Sequence, residues 1–238
     1  MTINKTTTIG EIVAQNYKTA SVFSKLGIDF CCKGNRTISE VCENKNIKED
    51  YLLNLIVNGS TTSENNDYNS WTIDILTDYI EKTHHRYVEE KSAIILTFLN
   101  KLTKVHGEKH PELFEINTLF KTSVAELTQH MKKEELLLFP FIKKMIHASS
   151  TNTLINKVAF GNIENPINMM KHEHENEGER FEKISTLSNT YTPPADACNT
   201  YKVTFQMLNE FQEDLHKHIH LENNILFPKA IQLYQHIF

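Results

Sequence analysis

Two stretches of the chain carry one pattern. His130-Met131-Lys132-Lys133-Glu134, followed by Leu138-Phe139-Pro140, returns 88 positions later as His218-Ile219-His220-Leu221-Glu222, followed by Leu226-Phe227-Pro228. In each, Glu stands four residues after His and Pro six residues after Glu. On a helix a four-residue separation stacks two side chains on one face, about one turn apart. One such pair is ordinarily a solvated surface pair; two with the same Leu-Phe-Pro tail are not readily produced by chance. An imidazole and a carboxylate projected together from each of two helices make half of a buried metal site. Pro140 and Pro228 each remove a backbone hydrogen bond and should kink or restart their helices.

Four long segments have helical periodicity: about 72–105, 111–147, 165–187 and 196–236, the last after the Pro193-Pro194 break. In the first, Ile73, Leu76, Ile80, Tyr87, Ile94, Phe98 and Leu102 recur near helical spacing. Strand-type alternation is absent, and the economical solution is an antiparallel four-helix bundle. The segment from Thr8 to Val57 reads as a separate small helical unit. Thr8 and Glu11 have capping-box spacing, and Gly27 is a helix stop ahead of Cys31-Cys32. The expected fold is therefore all-α: a small helical domain over 1–58, a polar linker over 59–71, and a four-helix bundle over 72–238.

The distribution of chemistry agrees with two modules. All 12 histidines lie at or beyond position 84, whereas Cys31, Cys32 and Cys42 precede it. A net charge of −5 gives no support for nucleic-acid binding. The chain has no apolar run of about 18 residues, so no membrane span is expected. Met1-Thr2-Ile3-Asn4-Lys5 lacks the apolar stretch of a signal peptide. Four cysteines without an export signal suggest reduced thiols in the cytoplasm.

The two His-x3-Glu pairs need further ligands from the alternate helices. His84 and His85 stand on the first, His172 and His174 on the third. Four imidazoles and two bridging carboxylates can hold two metal ions. With a small oxygen bridge, each ion keeps room for an exogenous ligand. Nitrogen and oxygen donors without thiolate suit iron rather than a structural zinc, with manganese compatible with the same set. His84 follows Ile80 by four residues and His85 precedes Val88 by three, so periodicity alone leaves helix one open between them. Glu126, one turn before His130, is a candidate supporting or ion-path carboxylate. His216 and His220 flank His218 by two positions and point off its face; His106, His110, His147 and His236 fall near helix ends and read as surface residues or caps.

These residues resemble a known family. The doubled His-x3-Glu…Phe-Pro pattern, with single histidines on the alternate helices, is similar to the hemerythrin-like di-iron fold. Thr8-Ile9-Gly10-Glu11-Ile12-Val13 and Gly27-Ile28-Asp29-Phe30-Cys31-Cys32-Lys33-Gly34 resemble the short opening domain of the repair of iron centres family (ScdA/YtfE type). Thr83-His84-His85-Arg86-Tyr87, Glu173-His174-Glu175 and His218-Ile219-His220-Leu221-Glu222-Asn223-Asn224 resemble its ligand segments, and the likeness covers essentially the whole chain. The resemblance implies His85, His130, His174 and His218 as terminal ligands and Glu134 and Glu222 as bridges. On helix one it selects His85 over His84, although Val88 stands where some relatives carry a polar group. Glu173, beside His174, joins Glu126 as a supporting or ion-path residue. The implied cofactor is two non-haem iron ions with oxo or hydroxo and carboxylate bridges. The implied activity is repair of iron–sulfur clusters damaged by nitrosative or oxidative stress, by iron donation rather than enzymatic turnover. Damaged iron–sulfur proteins or cluster scaffolds are the implied partners, and a second copy of the chain is a candidate one. Nitric oxide or dioxygen binding, or nitric oxide reduction, at the same site is the competing function. Cys31 and Cys32 match the family's cysteine positions and form a candidate thiol site; a vicinal pair closes a disulfide only with strain.

Overall fold

The computed structural model describes residues 3–59, 67–154 and 161–238, with backbone alone at 58 and 59. Among these residues the structure is helical, and the extended pairing is an isolated antiparallel bridge between Thr8 and Thr37. The chain forms two compact units. One is Thr77–His218; the other joins Met1–Leu76 to Ile219–Phe238.

Four helical segments supply the larger unit, with the start of the first (to Leu76) and the end of the last (from Ile219) counted in the smaller one. The first begins in α5 (Ile73–Tyr79), widens into a π-helical stretch at Ile80–His85, and continues as α6 (Arg86–His106). The second is α7 (Glu112–Lys133), a π stretch at Glu134–Leu138, and α8 (Phe139–Thr151). α9 (Glu164–Leu187) is the third. α10 (Asn199–Leu221) is the fourth, and it continues through a π stretch at Glu222–Leu226 into α11 (Phe227–Ile237). The centre of the loop expected between the second and third helices, 155–160, lies outside the described residues, as does most of the linker, 60–66.

The π stretches answer the question raised by the prolines. In an α-helix the Pro140 ring would clash with the carbonyl four residues back and leave it without a donor. A π turn pairs residues five apart and widens the helix just ahead of the ring. Thus the Phe139 N–H bonds the Glu134 carbonyl, and Phe227 repeats this with Glu222. Both helices are locally rewound rather than broken, and each wide turn starts on the motif glutamate.

The smaller unit carries α1 (Ile9–Gln15), a 3₁₀ turn at Tyr17–Thr19, α2 (Ala20–Lys25), α3 (Ile38–Lys45) and α4 (Glu49–Gly59). Thr8 and Glu11 form the expected reciprocal capping box, and Thr37 and Glu40 form a second at the start of α3. Gly27 adopts a φ of +61°, which ends the helix and turns the chain toward the cysteines. The C-terminal segment belongs to this unit: Lys229 Nζ donates to the carbonyls of Asn69 (2.6 Å) and Trp71 (2.9 Å).

The bundle is tied by aromatic residues from three helices. Phe120, Phe181 and Phe211 are buried, with ring centroids 5.2 to 6.3 Å apart in edge-to-face and stacked pairs. Replacing Phe211 with Ala removes one ring from both contacts and leaves a cavity. The expected loss is about 3–5 kcal/mol of bundle stability, measured as a shift in the urea midpoint at unchanged slope.

Candidate metal centre

The first helix buries both of its histidines through its winding. Ile80 is buried, and α-helical spacing would align His84 with it four residues on. A π turn holds more than four residues, so both His84 and His85 come to lie near the Ile80 line. Both imidazoles are consequently buried, at 1% exposure, but in different surroundings. His84 Nδ1 pairs with Asp214 Oδ1 at 2.9 Å, and its ring stacks on His218. His85 turns Nε2 toward Glu134, at 3.3 Å from Oε2.

Glu134 is the centre of the arrangement within the bundle. Its carboxylate is fully buried, and His130 Nε2 approaches the same Oε2 at 3.4 Å. Donor atoms of His85, Glu134 and His218 lie within 4.8 Å of one another, and those of His130, Glu134 and His174 do likewise. Thus one carboxylate belongs to two adjacent groups. Glu222, one turn after His218, is equally buried and opens the matching π stretch at the start of the C-terminal segment.

The ring orientations are fixed from outside. His85 Nδ1 pairs with Glu135 Oε1 and His130 Nδ1 with Glu173 Oε2, each at 2.9 Å. A Nδ1–H donated to a carboxylate leaves the Nε2 lone pair facing inward, the tautomer a metal ligand needs. His174 Nε2 then lies 3.1 Å from His130 Nε2, so two ring nitrogens converge on one place. A cation there accepts both lone pairs. The orienting carboxylates are themselves tethered. Lys132 holds Glu135 at 2.6 Å, and Lys133 bonds Glu173. The His130 hydrogen bond, aided by Lys133, outweighs partial burial and holds the Glu173 carboxyl down to about 2. Burial pushes Glu135 upward, but Lys132 and His85 prevail and leave it below the usual carboxylate range.

A pocket of about 110 Å³ reaches His130 and His174 from the surface, lined also by Glu126, Lys133, Glu173 and Glu177. Glu126 is exposed and bonds Arg180 at 2.6 Å. Arg180 also bonds the buried Glu177, which Ser123 holds from the other side. Burial pushes the Glu177 carboxyl upward against these partners. Sequence reading did not single out Glu177, Arg180 or Asp214; none carries a repeated spacing. His172, by contrast, is exposed, its nearest acidic partner being Glu175 at 3.8 Å. His110 pairs with Glu112 and Asp196 near a helix end, and His106 contacts the exposed Cys198. Cys31 and Cys32 are thiols of the smaller unit, 3.7 Å apart.

Residues 77–230 match the hemerythrin HHE cation binding domain, and residues 5–58 match ScdA_N, a domain of unknown function. The chain belongs to the hemerythrin HHE family. Among full-length relatives, it is 33% identical to the iron-sulfur cluster repair protein YtfE of Pectobacterium atrosepticum, over 94% of this chain and 96% of that one. It is 31% identical to the iron-sulfur cluster repair protein ScdA of Staphylococcus epidermidis, over 96% and 99%. A probable iron-sulfur cluster repair protein of Haemophilus influenzae is 34% identical over 88% and 90%. The bundle of this hemerythrin HHE protein therefore carries a cation-binding fold, and the converging imidazoles and buried carboxylate fit that use. No described helix is long and apolar enough to cross a membrane.

Glu173→Gln keeps the size of the side chain but removes the charge that orients His130. Cation affinity should fall about 10- to 100-fold with helical content unchanged, read by competition with a chromophoric chelator.

Proposed function

We propose that the chain repairs damaged iron–sulfur clusters by storing two iron ions in a His/Glu centre and releasing iron to the acceptor. The observation that carries this reading is the turning of His85 and His130 toward one buried carboxylate, Glu134, with Glu135 and Glu173 fixing the two rings. In this reading His85 and His218 serve one ion, His130 and His174 the other, and Glu134 is shared. Glu222 is its counterpart through the repeated His-x3-Glu spacing. Residues 72–238 are the metal-holding module, 59–71 the linker and 1–58 the thiol-bearing module. The names of the relatives, all cluster repair proteins, support the same substrate class for this chain.

The donor set matches iron in kind: four imidazoles and two carboxylates, nitrogen and oxygen without sulfur. Iron is cargo here, and lability is the property that matters. Two carboxylates leave two ferric ions with more unbalanced charge than two ferrous ones, so the ferric pair binds anionic oxygen ligands more strongly. Reduction therefore loosens the centre. The pocket past Glu173 and Glu126 supplies an acidic route between His130/His174 and solvent. Reduced thiols and a reducing donor suit the cytoplasm.

Two measurements test the reading. Glu134→Leu or Glu222→Leu should lower bound iron to one ion or none while circular dichroism keeps its helical signal; two tightly held ions in both variants would reject the bridging role. For donation itself, protein loaded with isotopically labelled iron is reduced, mixed with a nitric-oxide-damaged iron–sulfur enzyme and then separated from it. Label in a restored cluster is expected. Label retained on the bundle would replace donation with binding or reduction of nitric oxide or dioxygen at the same centre.

A further inference from the structure

The smaller unit holds a second group of metal-type donors, of different chemistry from the first. Asp29, Cys31 and Cys32 each offer one atom, all within 4.8 Å of one another. Cys31 Sγ lies 3.7 Å from Cys32 Sγ and 3.4 Å from Asp29 Oδ1. A tetrahedral divalent ion, with bonds of about 2.3 Å to sulfur and about 2.0 Å to oxygen, sets its donors about 3.8 Å (S···S) and about 3.5 Å (S···O) apart. Both edges are already in place.

The loop that presents these atoms is fixed from several sides. Asp29 Oδ1 accepts the backbone N–H groups of Cys31 (3.0 Å) and Cys32 (2.9 Å). Arg36 donates to the Asp29 carbonyl at 3.0 Å. The Asn223 and Asn224 amides donate to the carbonyls of Cys31 (3.1 Å) and Phe30 (3.2 Å). Gly10 and Gly34 let Asn224 approach this closely, since a Cβ on Gly10 would stand 2.5 Å from Asn224 Oδ1. Outer contacts of this kind orient donors before an ion arrives.

The electrostatics separate two uses of a thiol pair. The hydrogen bond to Cys32, then burial, then the Asp29 charge push the Cys31 thiol well above its ordinary range. A thiol held protonated is a poor nucleophile, which disfavours Cys31 as an oxidant-sensing thiolate. A cation changes the balance, because its charge is what three crowded anionic donors lack.

We propose that Asp29, Cys31 and Cys32 form a thiolate-type site for a tetrahedral divalent cation, with the fourth position open to an incoming ligand. Binding replaces two S–H bonds with two metal–sulfur bonds. Both protons leave to solvent, Asp29 enters as the carboxylate, and no electron moves. Three protein ligands and an open position are what an exchange site has and a closed structural site lacks.

Cobalt(II) is the probe. The full-length protein, kept reduced and anaerobic, is titrated while the near-ultraviolet thiolate-to-cobalt charge-transfer band is recorded. With the cobalt taken up by the His/Glu centre allowed for, that band is expected to saturate at one thiolate-bound cobalt per chain, to vanish in Cys31→Ser/Cys32→Ser and to persist in Cys42→Ser/Cys198→Ser. Asp29→Asn, which still accepts the two N–H groups, should keep the band and weaken binding about tenfold or more. Circular dichroism checks that each variant retains its helices. No band in the unaltered protein at saturating cobalt, or a band surviving Cys31→Ser/Cys32→Ser, would overturn the site; unchanged affinity in Asp29→Asn would remove the carboxylate from it. Because the His/Glu centre contains no thiolate, either result is independent of the function proposed for it.

Discussion

The bundle is organised around a carboxylate that water cannot reach. Removing an ionised glutamate from solvent costs several kcal/mol unless positive charge or donors replace the lost hydration. At Glu134 imidazoles on separate helices turn their Nε2 atoms inward, with lysine-tethered carboxylates behind two of them, so a bound cation would supply the missing positive charge. Polar layers follow one another outward: buried carboxylate, imidazole, partly exposed carboxylate, surface lysine. Each layer makes the next one tolerable, and the outermost reaches solvent. A hydrophobic core alone would fold such a bundle more simply; the polar centre has to be kept by what it binds.

The aromatic layer and the polar layer divide the labour along the bundle. Phe120, Phe181 and Phe211 supply close packing from α7, α9 and α10. His130 and His174 extend from α7 and α9 as well, so the packing that joins these helices also sets the separation of the rings. Stiffness in one layer becomes ligand geometry in the other. This is why substitutions among the phenylalanines belong to the chemistry of the site as well as to its stability.

Much of this was legible in the sequence, and the reasons are specific. The His-x3-Glu pairs were visible because their spacing matches a helical turn and recurs with the same tail. The capping box at Thr8 and the stop at Gly27 were visible because each has a local cause. Periodicity could not choose between His84 and His85, since it assumes uniform winding and the helix is π-wound between Ile80 and His85. The resemblance implies His85; the winding buries both imidazoles, and His85 is the one whose Nε2 faces Glu134. The prolines imply a kink or restart, and the local form this takes is a wide turn that begins on each glutamate. Asp214, Glu177 and Arg180 stayed silent because a partner chosen across helices leaves no local trace. Glu135, which holds His85, likewise has no repeated spacing to mark it.

The smaller unit is assembled from both ends of the chain. Its cysteine loop is pinned by Asn223 and Asn224, and Lys229 fastens the segment before α5. On a ribosome the helices of the smaller unit emerge before the bundle, but Asn223, Asn224 and Lys229 emerge after it. The thiol loop therefore waits, without its asparagine contacts, while the whole bundle is synthesised. The order of the thiol loop is thus tied to residues nearly 200 positions further along the chain.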